Sequence, residues 1–553
     1  MREEAHKKTI YRTYRRFKWL LFGYLLGTAI SAIITILLAR LMGPADYGLY
    51  AAAFILPSVI SSIGDLGMSR ATIYYVASLR ENNLNDALRY FKSSLIAVCL
   101  QSIMFTVLVV VFAYPLTSLV FGKEYLAPYV QVASLMIFYT SAIGVINGGL
   151  LSLEKQKVIA LFVIMTSTVR NFLALFLYIQ SREALLALVG QIIGYISMAT
   201  IYIAYAYTIL RGVSTDFKLV WPMLRYGFPY SIGMFIIMLS SQFYNIVAVS
   251  LLDKTAYGNF GAAWFIFSAS SIIPKSLSTS FFPSFSEEYS SVSMNTSTTY
   301  NVAVKFSATI LLYLWLVLGG LSDIFVSIVY GNAYTLAGGI LASLTSIFIL
   351  SILGWGIVIP LLLTFKETKV IAAISFLGVG GSMIVFLSGQ KFGFTNPIWL
   401  IPLALFFLNL ISTIVGLAYI VRRYGIKLEK MSMAKMFIIA IFLFYLVREL
   451  GLSTTVLLRI FGSVQISNIL TIGISAVWIG IAYISLLIIA GALRKDDYEM
   501  LRKTLFSLPL LGIVDRVAEK AFIINIKVNG LIQKIVERPS GKKGDVAYES
   551  PIE

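Results

Sequence analysis

Runs of apolar residues, each long enough to cross a bilayer, alternate along the chain with short polar stretches. A helical crossing needs about 20 predominantly apolar residues. Fourteen segments meet that length or approach it. The first seven are Trp19–Leu41, Tyr47–Leu66, Tyr90–Val111, Pro128–Leu151, Val158–Tyr178, Ala184–Ile209 and Pro222–Leu252. The second seven are Tyr257–Leu277, Val302–Leu321, Gly338–Leu363, Val370–Leu387, Ile398–Val421, Met436–Val447 and Ile466–Ile489. Arg448 and Glu449 cut the thirteenth short. The first run is too long, and lacks the small-residue cleavage site, for a signal peptide.

Charge orients the runs. With the N-terminus in the cytoplasm, 36 of the 44 Lys and Arg fall on the inner side and seven on the outer, and one, Arg170, lies inside the fifth run. Without the terminal tails the ratio is 18 to 7. The positive-inside rule then places both termini in the cytoplasm of a multi-pass plasma-membrane protein. The net charge of +18 is explained in this way without a nucleic-acid partner. After Leu493, the stretch Leu505–Val536 mixes apolar positions with Arg516, Lys520, Lys527 and Lys534. That pattern suits a basic amphipathic helix on an anionic leaflet, and Ser540–Glu553 reads as disordered.

Composition narrows the chemistry. Apolar residues make up 58% of the chain and charged residues 13%, against about 25% charged in soluble proteins. A single His (His6) and a single Cys (Cys99) leave no basis for a disulfide framework, haem or zinc site within one chain. The acids at or within apolar runs are Asp65 and Asp323, both near run ends. No carboxylate pair for general acid–base work is evident, so a transporter without cofactor or metal is expected, and a membrane glycosyltransferase or polymerase is the weaker reading.

The chain also repeats itself. Tyr47-Gly48-Leu49-Tyr50-Ala51-Ala52-Ala53-Phe54 returns as Tyr257-Gly258-Asn259-Phe260-Gly261-Ala262-Ala263-Trp264, 210 residues later. Val120-Phe121-Gly122-Lys123-Glu124-Tyr125 returns as Val329-Tyr330-Gly331-Asn332-Ala333-Tyr334 at 209, and Lys157-Val158-Ile159-Ala160 as Lys369-Val370-Ile371-Ala372 at 212. Six crossings return the chain to its starting side. The copies therefore share one orientation and should be related by an axis along the membrane normal, with a central cavity. The expected fold is all-α: two six-helix bundles under a pseudo-twofold, plus two C-terminal helices. The domain plan is a basic tail at 1–18, bundles at 19–210 and 211–430, two extra crossings at 431–492 and a cytoplasmic tail at 493–553.

Leu38-Ala39-Arg40-Leu41-Met42-Gly43-Pro44-Ala45-Asp46-Tyr47-Gly48-Leu49-Tyr50, followed by Gly64-Asp65-Leu66-Gly67-Met68-Ser69-Arg70, resembles the polysaccharide-biosynthesis exporters. These are the O-antigen and teichuronic-acid type flippases of the multidrug/oligosaccharidyl-lipid/polysaccharide exporter superfamily. The resemblance implies two facing six-helix bundles. It also implies transfer of a polyprenyl-linked oligosaccharide from the inner to the outer leaflet by alternating access, for surface polysaccharide assembly. Related lipid II flippases carry cavity arginines in the first crossing, whereas Leu20–Ala39 is uncharged here. That departure points away from a peptidoglycan precursor. A drug or cation antiporter of the same superfamily is the alternative, and the lack of deep acids speaks against it.

A cargo with a glycan, phosphates and a polyprenyl tail asks for cations, amides and aromatic faces within a low-dielectric site. Arg170 lies 12 residues past Val158, roughly 18 Å deep at 1.5 Å per residue. A charge at that depth should face the bundle interior, and Asn171 follows it. Asn147, Gln191, Gln242 and Asn245 are amides suited to sugars or to bridging helices. Arg70 and Arg225, near the inner ends of runs two and seven, suit phosphate capture or plain anchoring. Asp65 and Lys275 occupy equivalent positions in the two copies, 210 residues apart. They are either a gate pair, or a helix cap and a lysine reaching to headgroups. The expected partners are the polyprenyl-phosphate-linked glycan and membrane lipids. The chain is read as a monomer that works beside glycan-assembly enzymes.

Overall fold

The computed structural model describes residues 2–290, 296–391, 396–450, 464–494, 497, 499, 517 and 519–525. Most of Leu505–Val536, and all of Ser540–Glu553, therefore lie outside the described residues.

The described chain is all helix and turn. The order is α1 (Arg2–Ala53), α2 (Ile55–Ser61), α3 (Met68–Leu79), α4 (Leu84–Val111), α5 (Ala113–Phe121), α6 (Ala127–Ser134), α7 (Met136–Ser152), α8 (Gln156–Ser181), α9 (Ala184–Leu210) and α10 (Val220–Leu251). It continues with α11 (Lys254–Ser270), α12 (Ile272–Ser290), α13 (Thr296–Gly320), α14 (Ser322–Tyr330), α15 (Ala337–Thr345), α16 (Val358–Thr364), α17 (Thr368–Lys391), α18 (Pro397–Tyr424), α19 (Lys430–Leu450) and α20 (Val464–Ile489). Short 3-10 turns include Ser346–Leu353.

Among the described residues ten helices are long and apolar enough to cross a membrane, or twelve if each of two bent pairs is one crossing. This is a multi-pass membrane protein. Two features separate that count from the fourteen expected runs. The first and second runs share one helical stretch, Trp19–Ser61, which is broken at Gly43 (φ +70°) just before Pro44. The eighth is divided between α11 and α12 around Ser271. Large apolar side chains cover the outside: Ile33, Leu119, Phe376 and Ile438 are all exposed, Leu119 to 84%. In water such a surface would aggregate; against lipid tails it is already solvated.

The chain divides into two compact units. The first comprises Met1–Ala269, Asp323–Leu344 and Met383–Leu405; the second comprises Ser270–Ser322, Thr345–Ser382 and Phe406–Glu553. In the first, α8 packs between α1 and α9, and α3, α4 and α7 pack together. Its core includes Met68, Phe91, Ile146, Phe162 and Tyr202. In the second, α13 packs against α12, α19 and α20, and its core includes Phe285, Tyr300, Val304, Leu361 and Ile420. Trp315 and Phe444 stack there with centroids 4.3 Å apart.

The sequence repeat has a counterpart in backbone geometry. Gly122 (φ +65°) follows α5 and Gly331 (φ +85°) follows α14, 209 residues later. Glu154 (φ +63°) and Lys366 (φ +58°) precede α8 and α17, 212 apart. Gly212 (φ +82°) and Gly425 (φ +66°) follow α9 and α18, 213 apart. Within the first unit the repeated Tyr-Gly pairs meet each other. A methyl group added at Gly48 would strike the Lys254 carbonyl, and one at Gly258 the Pro44 carbonyl. Only glycine lets the two backbones approach so closely.

Candidate functional site

Small residues bring three helices of the first unit into close contact. On α1, Gly23, Gly27 and Ser31 recur every four residues and form one stripe. A methyl at Gly23 would lie 2.6 Å from the Ala160 Cα, and one at Gly27 3.0 Å from Val163 Cγ1, both on α8. On α9, Gly190 and Gly194 do the same against α8, where a methyl at Gly194 would strike the backbone of Arg170. The arginine is thereby held at the meeting point of three helices.

Arg170 is half-buried and 11 residues from the end of α8 at Ser181, about 17 Å along the helix. Its Nη1 donates to Tyr195 Oη, and its Nη2 donates to Ser31 Oγ at 2.9 Å. The guanidinium sits 5.0 Å from the centroid of the Tyr195 ring. Asn171 is buried; its Nδ2 donates to the same Ser31 Oγ at 2.9 Å and to Ser167 O at 2.7 Å. Among the described residues no carboxylate lies within ion-pair distance of Arg170. A guanidinium carries five N–H donors, so the group keeps spare donors and an uncompensated charge. Both suit an anion such as a phosphate.

The other sequence candidates fall into smaller groups. Asn245 Nδ2 donates to Gln242 Oε1 at 2.7 Å, and Gln242 Nε2 reaches Ser58 Oγ at 3.4 Å. Gln191 is buried and accepts from Tyr50 Oη. Asn147 has a buried side-chain oxygen with no partner. Arg70 and Arg225 are exposed. Arg70 Nε donates to Tyr230 Oη at 3.1 Å, with the guanidinium 5.1 Å over the ring. Nearby on the same two helices, Tyr74 stacks on Tyr226 with centroids 4.8 Å apart. A methyl at either Gly67 or Gly227 would strike the other's backbone, so α3 and α10 cross there at contact distance. Asp65 caps α3, accepting from Gly67 N at 2.9 Å and Ser69 N at 3.1 Å. Lys275, on α12 of the second unit, is exposed. After α2 the backbone turns through residues 62–67, where the second run was expected to end, and α3 then begins at Met68 with Met68, Ala71, Thr72 and Val76 buried.

One charged group was not singled out from sequence. Lys305, nine residues into α13, is 3% exposed. Its Nζ lies 2.6 Å from Glu429 Oε2 and 3.2 Å from Asp497 Oδ2. Asn301, one turn earlier, donates to Lys427 O at 2.7 Å and accepts from Glu429 N at 3.1 Å, which fixes the loop that carries Glu429. Burial alone would raise the Glu429 carboxyl, but the hydrogen bond and charge of Lys305 outweigh it and hold the group below the ordinary range. Lys305 sits three residues inside an apolar run, and that position was the available signal.

Among the described residues no group of three or more His, Cys, Asp or Glu is placed to hold a metal. Residues 14–288 match the family model described as polysaccharide biosynthesis protein. No curated protein sequence matches the chain. Among solved structures, the lipid II flippase MurJ in an inward closed conformation aligns with 88% of this chain and 99% of its own, at 16% identity and a TM-score of 0.59. An inward-facing multidrug resistance MATE family transporter of the MOP superfamily aligns with 72% of this chain and 98% of its own, at 16% identity and a TM-score of 0.55. An outward-facing conformation of such a transporter aligns with 74% and 95%, at 16% identity and a TM-score of 0.50. The chain thus has the MOP-superfamily fold that the lipid II flippase and the MATE transporters share, and its first half carries the polysaccharide biosynthesis protein pattern.

Proposed function

We propose that this protein is a flippase. It moves a polyprenyl-phosphate-linked oligosaccharide from the cytoplasmic to the outer leaflet by alternating access. In this reading the chain crosses the membrane fourteen times with both termini in the cytoplasm. Its two six-crossing repeats, 19–210 and 211–430, are related by a pseudo-twofold axis along the membrane normal, and 431–492 adds two crossings. Arg170 and Asn171 receive the phosphate. Gln242, Asn245 and Asn147 meet the sugars. Arg70 and Arg225, beside the Tyr74–Tyr226 stack, attract the headgroup first.

The observation that carries this reading is Arg170, a mid-helix cation held by hydroxyls and a ring rather than by an acid. A half-buried charge in mid-helix without a counter-ion is expensive unless a ligand or water supplies what the protein withholds. The family match over residues 14–288 and the fold shared with a lipid II flippase support the same cargo class. The test is depletion of the protein followed by identification of the lipid-linked sugar on the inner leaflet. Build-up of one such lipid, relieved by the wild-type chain and not by Arg170→Ala, is the expected result. Depletion without any such build-up removes the proposal.

A further inference from the structure

Two short turns reach across from one copy of the recurring pattern to the other. The first follows α5, after Gly122 (φ +65°), and the second follows α14, after Gly331 (φ +85°), 209 residues later. From the first, Lys123 Nζ donates to Val249 O and Leu252 O at the end of α10. From the second, Tyr334 Oη donates to Ala39 O of α1 at 2.6 Å. Ala39 and Val249 stand 210 positions apart, so the two accepting carbonyls occupy corresponding places. All of these residues belong to the first compact unit.

The two contacts are alike in place and unlike in chemistry. The last carbonyls of a helix lack intrahelical donors and carry the negative end of its dipole, so the Lys123 ammonium makes charge-assisted hydrogen bonds there. In the second turn Asn332, which corresponds to Lys123, is exposed, and a buried tyrosine reaches instead. Tyr125, which corresponds to Tyr334, is 51% exposed. Asn259 fixes the second turn, its Oδ1 accepting from Leu336 N and Ala337 N, both at 3.1 Å. Tyr330 packs between the copies, its ring centroid 5.1 Å from that of Tyr334 and 6.5 Å from that of Tyr47 on α1. Its hydroxyl is buried and has no hydrogen-bond partner. The corresponding residue of the first copy is Phe121, and both are 1% exposed. The position therefore needs a ring and not a hydroxyl, and the orphan group costs free energy as long as the contact holds.

We propose that the two turns form a reciprocal clasp, in which each copy grips a carbonyl of the other's leading helix, and that both grips let go when the copies part at this end. The Lys123 grip holds the clasp shut. The Tyr330 hydroxyl is orphaned while the clasp is shut and bonds water once it opens, which keeps the second grip weak. Contacts made in one conformation and not in the other set the balance between the two. The inference rests on the alternating-access part of the proposed function and on no property of the cargo.

The test is the rate at which a water-soluble maleimide labels a cysteine beneath the clasp, in the full-length chain in nanodiscs. Ala52 is 2% exposed and lines a small crevice together with Lys123, Val249 and Tyr257. Ala52→Cys, combined with Cys99→Ser, supplies the reporter. No lipid-linked sugar is needed, so a failed clasp leaves the flippase reading standing, and a chain that carries another cargo still shows the clasp. Lys123→Met should raise the labelling rate about 10-fold or more, the value of a lost charged hydrogen bond. Tyr330→Phe installs the side chain that the first copy holds at that place. It should lower the rate at least ~5-fold and raise the melting temperature. Opposite shifts of this kind, in variants that still unfold cooperatively, support the clasp. An unchanged or reversed response of either variant overturns it.

Discussion

Arg170 in the first unit and Lys305 in the second are both basic groups set within apolar helices, and the protein treats them in opposite ways. Lys305 is 3% exposed and faces two carboxylates, at 2.6 and 3.2 Å. Arg170 is half-buried, and its partners are a serine hydroxyl and a tyrosine. Attraction between charges grows as the surrounding dielectric falls. A lysine already matched by two acids has little left to offer a third anion. An arginine held by neutral groups keeps both its charge and its spare donors. The first arrangement fastens a loop and Asp497 to α13; the second leaves a cation with spare donors.

The largest effect should come from removing the unmatched charge. Arg170→Ala is expected to abolish transport while leaving expression and thermal stability near wild type, because no buried acid is orphaned. Arg170→Lys should recover part of the activity, since lysine keeps the charge and loses the planar fork. Both are read by the lipid-linked sugar held on the inner leaflet. Full transport by Arg170→Ala would erase the contrast with Lys305.

Lys305→Met should reverse the pattern. Removing one member of a fully buried pair destabilises by ~3–5 kcal/mol. Here Glu429 is a third exposed, so about 2–3 kcal/mol is expected once solvent screening is allowed for. Transport per folded molecule should persist. Replacing all three members, Lys305→Met with Glu429→Gln and Asp497→Asn, should restore most of the loss, because no buried charge is then left alone. Thermal unfolding in detergent measures both. A stable Lys305→Met single variant would show that the triad contributes nothing to the fold.

A third effect concerns packing. Gly258→Ala places a methyl against the Pro44 carbonyl, and overpacking of this kind typically destabilises by ~1–3 kcal/mol. The loss should show in thermal unfolding of otherwise intact protein.

The smallest effect concerns pH. Lys305 holds the folded Glu429 carboxyl below its ordinary value of 4.5. The stability it contributes is therefore fully present above 4.5 and is lost as pH falls through the lower folded value. The stability gap between wild type and Glu429→Gln, on the order of 1 kcal/mol for a partly exposed pair, should stay level from neutral pH to 4.5 and close below it. A gap that closes above 4.5 would mean another group is titrating.

Much of this was legible in the residues. Arg170 stood out because one charge in the middle of an apolar run violates the pattern around it. The repeat was legible because residues such as Gly122 and Gly331 follow corresponding helices, and both take the left-handed conformation that favours glycine. Lys305 was overlooked because a lysine three residues inside a run looks like a loop residue, and its partners stand far along the chain, Asp497 192 positions away. The second apolar run ends at Leu66, where the backbone turns before α3. Hydropathy falls at Asp65 whether a crossing ends there or only turns.

By itself the sequence determined that this is an all-helical membrane protein with segments that recur about 210 residues apart, and that one arginine stands in the middle of an apolar run. Those properties follow from the length of apolar runs, the sign of loop charge and local backbone preference, all of which act over a few turns of chain. Tertiary structure alone decided that Gly23, Gly27, Gly190 and Gly194 bring three helices together around Arg170. It also decided that Lys305 is neutralised while Arg170 is not, and that Lys123 and Tyr334 reach carbonyls of α10 and α1. Whether a polar group finds its match depends on which distant side chain arrives within about 3 Å, and hydropathy along the chain does not encode that distance.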